Sequence, residues 1–172
     1  MLSSKSFVVS PVLCVGLSLM LAAGCGDRRE SFYPSLADAI SAGEIDRGWI
    51  PDFLPESSRA IHIIYDPASP RTYCAFEFSP NDSQRLVKNL TNLEALPPSV
   101  KHVQRSGMSW WPGVLRGDLD LSKIHEAGFK VYFFEEPTPV GSDVVLFALD
   151  WTNGRGFFYR INKQLPVLSL NS

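Results

Sequence analysis

The chain has 172 residues, and its 16 basic and 18 acidic side chains leave a formal net charge of −2. That balance excludes the electrostatic footprint expected of a nucleic-acid-binding protein. With 45% hydrophobic and 12% aromatic residues, the composition calls for a packed core and excludes a disordered stalk.

Met1 to Ser6 carries Lys5, and Phe7 to Ala23 is an almost unbroken apolar run. This is a signal-peptide layout. The run also reaches the length of the shortest bilayer-spanning helices, and Arg28 and Arg29 beyond it make a positive-inside comparison indecisive. The stretch Leu21-Ala22-Ala23-Gly24-Cys25 decides between them. Small residues at Ala23 and Gly24 let the chain lie extended in a protease cleft, and Cys25 supplies a thiol for a diacylglycerol thioether. On these residues the chain resembles a bacterial lipoprotein precursor. The resemblance implies cleavage after Gly24, palmitate-type acylation at Cys25 and stable anchoring through more than one fatty chain. Gly26 follows the cysteine and Asp27 comes only after it, so the outer membrane, facing the periplasm, is the expected location.

Removal of residues 1–24 leaves 148, enough for one domain with a core of its own. The expected organisation is a signal peptide over 1–24, an acylated cysteine with a short tether over 25–34, a single α+β domain over 35–165 and a tail over 166–172. Cys74 is then the only thiol of the folded part, so no disulfide framework is available.

Ser35 followed by Asp38, with Leu36, Ala39 and Ile40 on one face and Gly43 beyond, predicts a short capped helix. Gly48-Trp49-Ile50-Pro51-Asp52-Phe53-Leu54-Pro55 cannot be an interior helix, because its two prolines restrict the backbone. Trp49, Phe53 and Leu54 either plug one end of the core or line a ligand groove. Together with Ala42-Gly43-Glu44, Ser57-Ser58 and the later Trp110-Trp111-Pro112, this stretch resembles small uncharacterised lipoproteins of Gram-negative bacteria. No site residue comes with that resemblance.

Residues 60–65 and 72–78 read as a hairpin joined by Asp66-Pro67-Ala68-Ser69-Pro70, with Cys74 pointing alongside Phe76 and Phe78 by the period of two. Pro80 after Ser79, then Leu86, Val87, Leu90 and Leu93, predict a helix over 80–96. Residues 97–117 have no periodicity and carry Trp110-Trp111, whose indoles suit a sugar ring, a peptide or a lipid headgroup. Neighbours on an extended chain point opposite ways, so one of the pair is expected to cover core. Asp120 and Gly128 bracket a short helix. Strands follow over 129–135, 144–151 and 156–161, with Asn153-Gly154 as a type I′ hairpin signal.

The familiar catalytic motifs are incomplete or missing in the sequence. Gly107-Met108-Ser109-Trp110-Trp111 lacks the closing glycine of a nucleophile elbow, His125-Glu126 lacks the second histidine of a zinc helix, and no glycine-rich phosphate loop precedes a helix. No cofactor and no metal site is therefore expected. The remaining candidates for acid and base chemistry are Glu135, Glu136 and Asp143, expected to crowd at one end of the sheet, and Asp150 at the other end.

The expected fold is α+β, an antiparallel sheet of about five strands with the 80–96 helix packed on one face. The expected function is a non-catalytic binding or structural module on the envelope. Trp110 and Trp111, with Trp49 and Phe53, would contact an envelope protein or peptidoglycan; an envelope hydrolase using the carboxylates is the alternative.

Overall fold

The computed structural model describes residues 28–66, 71–94, 101–103, 107–138 and 141–161. The signal segment, Gly24, Cys25, most of the 66–70 connector, Pro97-Pro98 and the 166–172 tail lie outside the described residues.

Twelve elements follow in order. Strand β1 (Arg29–Ser35) leads into helix α1 (Leu36–Ser41); β2 (Arg59–Asp66) and β3 (Arg71–Glu77) form a hairpin; α2 (Gln84–Asn89) is followed by the short β4 (Thr91–Asn92). Next come β5 (His102–Val103), β6 (Gly117–Asp118), α3 (Leu121–Glu126), and the long strands β7 (Lys130–Thr138), β8 (Gly141–Asp150) and β9 (Arg155–Ile161). Seven strands make one antiparallel sheet in the order β1-β2-β3-β9-β8-β7-β4, and β5 pairs with β6 in a second, two-stranded sheet.

The strand count thus exceeds the expected five, and each addition has a physical reason. The segment expected to be a tether contains β1, which pairs along β2 from Arg29↔Tyr65 to Ser35↔Arg59. Phe32 and Tyr33 favour the extended state, and Pro34, which lacks an N–H, is tolerated because β1 is an edge strand. At the far edge, Leu90 is already extended (φ −110°, ψ 136°), so α2 is much shorter than the 80–96 prediction. Thr91 and Asn92 instead pair with Phe133 and Tyr132 of β7.

That crossing carries the chain from one face of the sheet to the other. Leu86 packs on one side with Phe76, Phe78, Phe147 and Phe158, whereas Leu93 packs on the opposite side with Val131, Leu146 and Phe157. The predicted apolar stripe is split by β4, and Val87 is left 54% exposed. Both faces are therefore covered. α1, the 44–58 loop and α2 lie on the first; the two-stranded sheet, the 107–116 loop and α3 lie on the second. The expectation of a helix on one face gives way to three layers.

Period-two alternation sorts the side chains between these layers. Cys74, Phe76, Val145, Phe147, Leu149 and Phe158 face the first layer, and Tyr73, Ala75, Leu146, Ala148, Phe157 and Tyr159 face the second. β8 is buried on both faces, as its unbroken apolar run predicts. The Ser35–Asp38 capping box is present with reciprocal bonds, Gly43 sits at φ +79° just beyond α1, and Asp120 caps α3 through the N–H groups of Ser122 and Lys123.

The β8–β9 hairpin forms, but not through a two-residue turn. Residues 151–154 connect the strands and only Gly154 has positive φ, +61°. The Asp150 carboxylate accepts from Asn153 N (3.0 Å) and Asn153 Nδ2 (2.8 Å), which holds Asn153 out of the left-handed region that a type I′ turn needs. A Cβ on Gly154 would stand 2.1 Å from the Phe78 carbonyl oxygen, the atom's neighbour being rigid backbone.

Candidate functional site

The tryptophan pair is divided between core and surface. Trp111 is 3% exposed; its indole donates to the Leu115 carbonyl at 2.8 Å and its ring meets Tyr73 and Phe157 edge-on. Arg116 clamps the loop by donating to the carbonyls of Met108, at 2.6 Å, and Trp111. Beneath Trp111 lies only an apolar void of about 10 Å³ between Leu115, Leu146 and Phe157, smaller than a ligand needs. A direct binding role for Trp111 is therefore replaced by a packing role.

Trp110 is different. It is half-buried, and its ring lies 5.5 Å from that of His62, which in turn lies 4.5 Å from Phe32. Phe32 is 54% exposed. The three rings form a ridge across the loop, β2 and β1, because Phe32 and His62 are register partners on the face that the loop covers. At 3.4 Å the Trp110 indole N–H also reaches Glu30 Oε1 on β1. β1 is an edge strand, and among the described residues nothing pairs with its outer side.

The 44–58 loop divides its aromatics in the same way. Phe53 is 6% exposed and contacts Phe134 and Phe147, so it plugs the first face and is no surface contact. Trp49 is half-buried, stacked on Tyr65 at 4.7 Å and 18°, with the Arg47 guanidinium 5.4 Å from its ring centre. Glu44 organises this loop from a buried position. Its carbonyl accepts from Trp49 N and Ile50 N, while its carboxylate accepts from the Tyr33 hydroxyl and lies 3.3 Å from Arg47 Nη1. Burial, then the bond to Glu44, raises the Tyr33 phenol above its ordinary value.

Only two of the four carboxylates, Glu136 and Asp143, come together. Asp143, the third residue of β8, and Asp150, its last, are about 24 Å apart at strand rise. Glu135 is exposed and, next to Glu136 on β7, points to the other face. Asp150 is a hairpin lock: besides Asn153 it accepts from Arg155 Nη2 at 2.7 Å. Burial opposes its ionisation, but the bonds from Asn153 and Arg155 together hold it below the usual aspartate value.

Glu136 and Asp143, expected to crowd at one end of the sheet, are cross-strand partners, and Arg160 of β9, which the sequence did not single out, joins them in a charge cluster. Arg160 is 7% and Asp143 4% exposed. Arg160 Nη2 lies 2.7 Å from Glu136 Oε2, although the two are misaligned for a hydrogen bond. Burial raises the Glu136 carboxyl, opposed by Arg160 and reinforced by Asp143; burial likewise lowers Arg160. A third strand brings Arg160 to the pair, so no local spacing signals it.

Cys74 is wholly buried, and burial pushes its thiol well above the ordinary value, which leaves it inert. Among the described residues no group of three or more His, Cys, Asp or Glu is placed to hold a metal ion. No helix among them is long and apolar enough to cross a membrane.

Residues 27–77 match the family model described as the YbbD head domain. The match covers 51 of the 172 residues and ends with the last residue of β3, so it takes in β1, α1, the Trp49–Pro55 loop and the β2–β3 hairpin. No curated protein and no solved structure matches the chain.

Proposed function

We propose that this is a lipid-anchored envelope lipoprotein, held by Cys25 on the outer membrane and facing the periplasm. Its domain acts as a non-catalytic module that captures an envelope protein. The observation that supports this is the Phe32–His62–Trp110 ridge beside the unpaired edge of β1. A single exposed phenylalanine is ordinary. Three aligned rings along an open strand edge suit an extended polypeptide, which gains main-chain hydrogen bonds from the edge and side-chain selectivity from the rings. Peptidoglycan, the other expected partner, would use the rings without the edge. The hydrolase alternative has less support, because Glu135 and Asp150 stand apart and the one pair that meets, Glu136 and Asp143, is buried against the Arg160 guanidinium.

Two experiments test this reading. Intact-mass analysis of the membrane-extracted protein should find a diacylglyceryl-modified Cys25 at the amino terminus, and Cys25→Ser should move the protein to the soluble fraction. A photo-crosslinking residue at position 110 in living cells should trap a discrete protein adduct that Phe32→Ser abolishes. A glycan adduct would redirect the module to peptidoglycan. Silence at position 110, with efficient crosslinking from exposed position 87, would sink the binding role.

A further inference from the structure

We infer that the end of the sheet at which β1 begins is a lipid-contacting face, on which Trp49 and Tyr65, with Arg29 and Arg47 beside them, dock against the phospholipid headgroups of the bilayer that holds the anchor. This rests on the reading of Cys25 as the lipid-bearing residue. Four Cα steps separate Cys25 from Arg29, a reach of at most about 14 Å, so the first residue of β1 stays within a headgroup layer's thickness of the anchor.

Register then says which residues share that end. Arg29 pairs with Tyr65, Tyr65 with Thr72, Thr72 with Arg160, and Arg160 with Val145. Trp49 stacks on Tyr65 with its ring nearly parallel, and the Arg47 guanidinium lies 5.4 Å from the indole's centre. Tryptophan and tyrosine are the side chains that settle at headgroup level, with an apolar body and a polar tip. Among the described residues nothing accepts a hydrogen bond from the Trp49 indole N–H, and a phosphate or glycerol oxygen would.

Arg28, Arg29 and Arg47 are exposed near this end, among the exposed acids Glu30 and Asp46, and Arg47 is paired with Glu44 at 3.3 Å. The two ends differ in their tryptophans. At the opposite end the Trp151 indole donates to the Tyr132 hydroxyl at 3.0 Å, so that ring, unlike Trp49, has its polar tip engaged within the fold.

The test uses the wild-type, membrane-extracted protein reconstituted into vesicles of phosphatidylethanolamine and phosphatidylglycerol, the latter carrying a photoactivatable group near its headgroup. Mass spectrometry of the irradiated digest should place lipid adducts on the 44–50 segment and on Tyr65. Adducts confined to 26–28, or present at Phe32 and Trp110 with none on 44–50 or Tyr65, would overturn the docking face while leaving the anchor intact. The same digest reports the mass of the Cys25 peptide; an unmodified cysteine would overturn the anchor reading, and the docking face with it.

Discussion

The two irregular loops, one on each face of the sheet, solve the same problem with different floors. Each buries one large ring, Phe53 or Trp111, and leaves a neighbouring tryptophan, Trp49 or Trp110, half-buried against an aromatic partner on β2. Beneath the 107–116 loop the sheet offers Tyr73, Phe157 and Tyr159, an aromatic floor. Beneath the 44–58 loop it offers phenylalanines in the middle and the Arg160–Glu136–Asp143 cluster at one end, where Arg160 Nη1 lies 3.4 Å from the position of a Cβ on Gly48. A loop over an apolar floor is held by shape; one over charges is also held by pH.

The largest effects should fall on the two buried rings. Phe53→Ala and Trp111→Ala should each cost about 3–5 kcal/mol in chemical denaturation, since each leaves a cavity that close-packed neighbours cannot fill. Trp111→Phe, which keeps the ring and strands the Leu115 carbonyl, should cost about 1–3 kcal/mol. Equal costs for Trp111→Ala and Trp110→Ala would break the division between core and surface.

Next comes the ion cluster. Arg160→Met leaves Glu136 and Asp143 facing each other without their cation and should cost about 3–5 kcal/mol at neutral pH. The sign with pH follows from Glu136, whose carboxyl burial already raises and which loses in this variant the cation opposing that rise. The folded state then binds its proton more tightly than the unfolded chain, so the deficit is relieved in acid and grows as pH rises through the raised value. In the natural chain a smaller effect of the same sign attaches to Glu136, between its ordinary value of 4.5 and the raised folded one. Denaturation midpoints from pH 4 to 8 check this, and Trp111→Ala, over the apolar floor, should show no such slope.

Asp150 supplies the opposite sign. Its folded pKa lies below the ordinary 3.8, so the stability it contributes is complete above that value and is lost as pH falls through the depressed one. Asp150→Asn should cost about 1–3 kcal/mol at neutral pH and remove that acid limb from the stability curve.

The smallest changes should come from the surface rings. Trp49→Ala and Trp110→Ala should each cost about 1 kcal/mol or less, while Trp110→Ala abolishes partner capture and Trp49→Ala leaves it in place. Loss of capture in both would merge the two loops into one binding surface.

Local features were legible in the residues themselves. The Ser35–Asp38 box, the Asp120 cap, Gly43 beyond α1 and the alternation of Cys74 with Phe76 each depend on neighbours within a few positions, where backbone geometry dictates who meets whom. β1 was partly legible too, in Phe32-Tyr33-Pro34, though the pull of the tether reading obscured it. The crossing at Leu90–Leu93 was not, because a helical stripe in sequence can be divided between two faces once an edge strand captures its end. Which tryptophan of the pair turns inward also lay beyond the sequence: an extended pair must split, but only the position of Tyr73 and Phe157 on distant strands makes Trp111 the buried one. The meeting of Glu136 and Asp143 across one hairpin was legible, but the arrival of Arg160 belongs to the same class as the tryptophans. It depends on the register of a third strand, and register comes from pairing energies summed over the whole sheet, which no single segment of the chain contains.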